Sequence, residues 1–305
     1  MMNRETRNKI LNCLGEFPNK VDLNIKILNI EKFESFERLL IEYNVERNER
    51  VKTYLLIPND RNRLLPAILA IHQHHSNWKV GKSEVVGLTN DKMYSYGLDL
   101  VKRGYVVIAP DIICFEDRMD KGEFTKNYNE PSLFERFVFC DYLLKGSTIQ
   151  AKTLHDLCCA IDVLFSLEYV DKNNIGVVGH SLGGQEVIYL QWYDKRIKVG
   201  VSSCGASQIK SIIDNNLLHS FYLYIPNMLN YCDIDYFIND ITYDRKLLIL
   251  NGKEDQRHCP IDGIKKIEDL VINDNFKSVI FDGGHEFNDN CKNIAYQYLD
   301  NILKK

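Results

Sequence analysis

The chain has 305 residues, 45% hydrophobic and 26% charged, with 17 glycines and 7 prolines, a composition that excludes collagen-like, low-complexity and wholly disordered chains. Its formal net charge of −4 provides no basic field to attract phosphate backbones or anionic lipid, so a small molecule is expected as partner rather than nucleic acid or a membrane surface. With no internal repeat, Ser/Gly linker or break in composition, residues 1–305 read as one domain.

In chain order, Arg4 to Leu14 has helical periodicity, and FERLLIEYNVERNERVKTYLLIP holds two β-rich runs around the turn-like Glu46 to Arg50. Residues 1–60 therefore read as a helix-hairpin extension. From Pro66 the texture changes to short apolar runs, AILAIH, YVVIAPD, IGVVGH, VGVSSCG, KLLILNG and SVIFDGG, separated by amphipathic stretches. Such runs suit strands buried on both faces. Thr148 to Leu167, Leu182 to Tyr193, Ile261 to Ile272 and Asn288 to Leu303 read as the helices between them. Strand and helix in alternation predict an α/β protein with a mostly parallel central sheet flanked by helices. Two insertions break the rhythm, at about 113–147 and 205–243, the second being cap-like. Both follow strand ends, where pockets of such sheets are walled.

Nine cysteines, an odd number without a C-x-x-C pair, read as reduced thiols. The first residues carry charge where a signal peptide would be apolar, and no apolar run approaches the roughly 18 residues of a membrane span. A cytoplasmic protein is expected. Assembly into a homo-oligomer stays open.

The most specific signal is Gly179-His180-Ser181-Leu182-Gly183, between the strand IGVV and a helix. This is the G-x-S-x-G nucleophile elbow in its strand-turn-helix setting. A serine on so sharp a turn needs neighbours without Cβ atoms, and the helix start places the Leu182 N–H where it can meet an oxyanion. A neutral hydroxyl is a poor nucleophile, so a base and an orienting acid are required in the order Ser, Asp/Glu, His. Asp255, on the loop leaving KLLILN, supplies the acid; His285, on the loop leaving SVIFD, supplies the base. The second oxyanion donor belongs to the turn after AILAIH, which reads His72-Gln73-His74-His75-Ser76. The backbone N–H of His74 or of Gln73 is the candidate. These histidines also have a metal-site reading, but no HExxH helix or cysteine pair accompanies them, and neither metal nor cofactor is expected.

In FYLYIPNMLNYCDIDYF, Phe221, Tyr222 and Tyr224 are the candidate pocket-lining rings, with Tyr231, Tyr236 and Phe237 beyond them. Asp117 and Arg118, on the loop after YVVIAPD, are within reach of the pocket rim but read rather as a structural ion pair. The same triad suits esters, amides, peptides and thioesters, since pocket shape sets leaving-group preference. A binding protein without catalysis is the reading of another class, but such a chain is expected to have lost a triad position.

Taken together, AILAIHQHHSNWKVGKSEVVGL, APDIICFEDR, AIDVLFSLEYVDKNNIGVVGHSLGGQEV, HSFYLYIPNML and LLILNGKEDQRHCP resemble the dienelactone hydrolase and acetyl xylan esterase-like branch of the α/β-hydrolase superfamily. The resemblance covers nearly the whole chain. It implies the α/β-hydrolase fold and hydrolysis of a small-molecule carboxylic ester through an acyl-enzyme, without cofactor. Dienelactone hydrolases proper use cysteine where this chain has Ser181, which points away from lactone substrates.

Overall fold

The computed structural model describes residues 4–128 and 130–304. The predicted hairpin is formed by β2 (Phe36–Glu46) and β3 (Glu49–Pro58), preceded by α1 (Arg4–Leu14) and by an exposed strand, β1 (Lys26–Lys32). The apolar runs become β4 (Leu65–Ile71), β5 (Val106–Pro110), β6 (Val170–His180), β7 (Val199–Ser203), β8 (Lys246–Gly252) and β9 (Phe276–Phe281). All nine form one sheet in the order β1-β2-β3-β5-β4-β6-β7-β8-β9. From β5 to β9 neighbours are parallel. The antiparallel β1–β3 region joins through β3, which pairs with β5, so the hairpin widens the sheet rather than standing apart from it.

Period-2 alternation splits the core in two. Ile108, Val177 and Ile249 face the layer containing α5 (Ile149–Ser166), α6 (Leu182–Tyr193), α8 (Ile234–Thr242) and α9 (Ile261–Leu270). Their sequence neighbours Val107, Val178 and Leu248 face α3 (Tyr96–Lys102) and α10 (Asp289–Leu303). Strands so covered have no polar face, which is why they read as continuous apolar runs. No helix among the described residues is long and apolar enough to cross a membrane.

The insertions are structured differently from one another. The segment 113–147 carries α4 (Pro131–Leu144), an apolar helix whose one buried residue is Glu135. In the segment 205–243, α7 (Ile209–Asp214) and two short turns lead to α8. Phe237 of α8 meets Tyr189 and Trp192 of α6 edge-on at 5.0 Å, so the end of this segment is a core helix and not a cap. Asp117 and Arg118 do not pair with each other. Asp117 binds Lys82 and Lys52, while Arg118 joins Glu49 to Asp156.

Candidate active site

Strand β6 ends in a turn that gives Ser181 φ 55° and ψ −118°, a conformation costly for any residue with a Cβ and held only by its surroundings. The Ser181 N–H donates to the Ser203 carbonyl at 2.8 Å, and Gln185 N–H donates to the Ser181 carbonyl at 2.9 Å. A Cβ on Gly179 would fall on the Gly183 backbone, and one on Gly183 would fall on the Ile71 carbonyl oxygen. The two motif glycines thus let β6, α6 and the end of β4 pass in contact. Leu182 opens α6, so its N–H belongs to the first turn, which has no intrahelical acceptors.

Asp255 leaves β8 and His285 leaves β9, as the chain order required. His285 Nδ1 lies 2.6 Å from Asp255 Oδ2. Burial would raise the Asp255 carboxyl, but hydrogen bonds from His258 and His285 and their charge outweigh it and hold it well below the usual carboxylate range. An ionised carboxylate only accepts, so the ring donates from Nδ1 and keeps Nε2 free. Ser181, Leu182 and His285 line one cavity of about 710 Å³ with His74, Trp78 and Tyr94.

The turn after β4 has left-handed residues, His75 (φ 49°) and Ser76 (φ 47°), and no glycine. Buried groups hold it instead. Glu84, from the short helix α2 (Lys82–Val85), accepts the Gln73 N–H at 3.0 Å and its side-chain amide at 3.2 Å. This corrects the alternative placed on Gln73: its backbone donor is committed to Glu84. Ser76 N–H donates to His74 Nδ1 at 3.1 Å, and His74 Nε2 reaches Glu135 Oε2 at 2.8 Å. Trp78 Nε1–H donates to the same oxygen at 2.8 Å. His72 is fully buried, with Nδ1 against the Gln73 carbonyl and Nε2 accepting from Ile112 N–H, and burial lowers it to about 4. Its two nitrogens are spent on the backbone.

Of the predicted pocket rings, Phe221 lines the cavity. Tyr222 does not: it is fully buried, and its hydroxyl donates to the Ile113 carbonyl at 2.5 Å. The Tyr224 hydroxyl accepts from His219 N–H at 2.9 Å and is likewise no part of the lining. Adjacent rings on a short helical turn face different ways, which composition alone does not reveal. Tyr231 and Tyr236 are exposed.

Sequence reading missed His258, His219, Trp78, Tyr94 and Glu135, all of which line the cavity. Glu135 had a signal, being an acid within an apolar helix. Three-residue spacing from Asp255 was the one hint of His258. Among the described residues, two groups bring metal-ligating atoms within 4.8 Å of one another: Cys204, Asp255 and His285, and Asp111, Glu116 and Asp117. The first is the hydrogen-bonded pair just described with a buried thiol beside it. The second closes around the Lys82 ammonium at 2.6 to 2.7 Å.

The chain is 30% identical over 272 residues, 88% of its length and 86% of the relative's, to YtaP of Bacillus subtilis (strain 168), which bears the general name of a hydrolase. Solved structures that share the fold include acetyl xylan esterase 1 from Thermoanaerobacterium sp. JW/SL YS485, with TM-score 0.69, 18% identity, and coverage of 98% of this chain and 94% of that one. A glucuronoyl esterase from Solibacter usitatus matches with TM-score 0.66, 16% identity, and coverage of 96% and 90%. The model of the dienelactone hydrolase family matches residues 55–225, more than half of the chain. By that match and the relative that spans nearly its whole length, this chain is a hydrolase that belongs to the dienelactone hydrolase family.

Proposed function

We propose that the protein is a serine esterase that cleaves a small-molecule carboxylic ester through an acyl-enzyme. The observation that carries this reading is the strained Ser181 turn opening into the same cavity as His285, whose Nδ1 is held by Asp255 at 2.6 Å. Ser181 Oγ attacks the carbonyl carbon as His285 Nε2 takes its proton, and Asp255 steadies the imidazolium that forms. The amides of Leu182 and His74 hold the oxyanion; one such donor typically supplies about 3 kcal/mol of transition-state stabilisation. His285 then gives its proton to the departing alcohol, and a water deprotonated by the same nitrogen releases the acid. The structural neighbours, acetyl xylan and glucuronoyl esterases, support an ester over an amide and make a sugar ester one of the substrates to try. Nine unpaired cysteines fit a reducing, cytoplasmic setting.

The test is a panel of esters, amides and thioesters of graded acyl length, with a fluorophosphonate to label the nucleophile. Ester turnover and a label on Ser181 that blocks it are expected. Turnover confined to amides or thioesters overturns the substrate class, and labelling elsewhere overturns the nucleophile.

A further inference from the structure

Asp255 is held by two imidazoles. His285 Nδ1 is 2.6 Å from Oδ2, and His258 Nδ1 is 3.0 Å from Oδ1. The rings lie 4.1 Å apart, centroid to centroid, at 36°. The carboxylate side chain is 1% exposed and that of His258 is 48% exposed, so the pair joins a buried anion to a solvent-facing ring. Because the carboxylate only accepts, His258 also carries its hydrogen on Nδ1 and leaves Nε2 free. Both rings line the cavity.

Three other titratable groups around this pair are held in their neutral forms by burial. His180, at the end of β6, is pushed well below the ordinary imidazole range by burial. His219 is lowered by burial to about 4, and burial pushes the Cys204 thiol up to about 12. His74 is committed to Glu135, and His75 sits farther along the same turn. Glu254 and Arg257, on the loop with His258, are exposed and of opposite sign. Asp255, by a hydrogen bond, and His258, by ring contact, lie directly against the His285 ring, with the neutral His180 on another side.

Resting on the reading of His285 as general base, we propose that His258 is a positioning residue: it anchors Asp255 Oδ1 so that Oδ2 faces His285, and because the two rings lie 4.1 Å apart a proton on either opposes a proton on the other. Removing His258 takes away that opposition and leaves the whole Asp255 charge to His285. Both changes favour protonated His285, so the acid limb of kcat/KM moves up in pH. A unit charge about 4 Å away in a water-like medium corresponds to about half a pH unit or more.

Wild type, His258→Ala and His258→Asn separate the two roles, because asparagine restores a neutral N–H donor without the charge. Two measurements are made between pH 5 and 9: the NMR titration of the His285 Cε1–H, and kcat and KM for p-nitrophenyl acetate. The His285 midpoint and the acid limb should rise by about half a pH unit or more in both variants. Plateau kcat should fall about tenfold in the alanine variant and stay within about threefold of wild type in the asparagine variant, with KM little changed in either. An unmoved midpoint overturns the electrostatic role, and an asparagine variant as slow as alanine overturns the anchoring role. Should the wild type hydrolyse no ester, the esterase reading fails, while the NMR titration still decides whether His258 acts on His285.

Discussion

The turn at Ser181 and the turn from His72 to Ser76 lie back to back under the cavity, with Gly183 of the first against the Ile71 carbonyl that leads into the second. Both hold side-chain-bearing residues at positive φ. At Ser181 the strain is accommodated by glycines that remove obstructing atoms. At His75 and Ser76 no glycine is present, and two buried carboxylates, Glu84 and Glu135, fasten the chain by hydrogen bonds to Gln73, His74 and Trp78. The steric solution leaves a sequence motif because it requires a residue type at fixed spacing. The hydrogen-bonded one draws on residues 11 to 61 positions away and leaves none.

Breaking the elbow side of this comparison should have the largest effect. Ser181→Ala is expected to lower kcat for an activated aryl acetate by about 10⁶ while the circular dichroism spectrum is retained. A folded variant with more than about a tenth of wild-type activity removes Ser181 from the chemistry. Next comes the acid. Asp255→Asn should cut kcat by about 10⁴, because an amide at that place stabilises the wrong tautomer of His285. Glu254→Gln, on an exposed neighbour, should remain within a few-fold of wild type. If the glutamine variant is the impaired one, the orienting acid lies one residue earlier.

On the other side, Glu135→Ala frees the His74 ring without touching Ser181 or its partners. A misplaced oxyanion donor predicts a fall in kcat of about 10 to 100-fold, less than the loss typical of a deleted donor, with KM within about threefold. Affinity for a boronic acid that mimics the tetrahedral intermediate should fall in parallel. Equal loss of substrate and boronate binding would instead mark Glu135 as a wall of the cavity.

The same contrast sets how far the sequence could be read. Strands β4 to β9, the elbow, and the loops bearing Asp255 and His285 were legible because each follows from local periodicity or a fixed spacing. Tyr222 and Tyr224 were misjudged because which face of a short turn looks into a cavity depends on what packs behind it, here the Ile113 carbonyl and the His219 amide. Glu135 bonds His74 and Trp78, which lie 61 and 57 positions away, while His258 sits three residues from Asp255 in a spacing that carries no motif of its own. Strand β1, exposed along most of its length, lacks the one-sided pattern by which strands are recognised.

Each turn also rests on a buried carboxyl, and this gives a last, smaller test. Burial pushes Glu84, beneath the histidine turn, to about 7, and Glu186, on the elbow helix α6, to about 8. Glu186 is fully buried and takes hydrogen bonds from the side chains of Gln150 at 2.6 Å and Gln185 at 3.2 Å. A carboxyl raised in the folded state keeps a proton that the unfolded chain releases above about pH 4.5. Stability therefore falls as pH rises from there to about 8 for Glu186, and levels off beyond. Glu186→Gln keeps the shape and a polar end without a proton to lose. Its melting temperature should drop less than that of wild type between pH 5 and 8, by a few degrees, as followed by calorimetry. Parallel curves for the two proteins across that range would show that Glu186 is charged in the fold, and that the elbow helix carries a buried carboxylate rather than a buried acid.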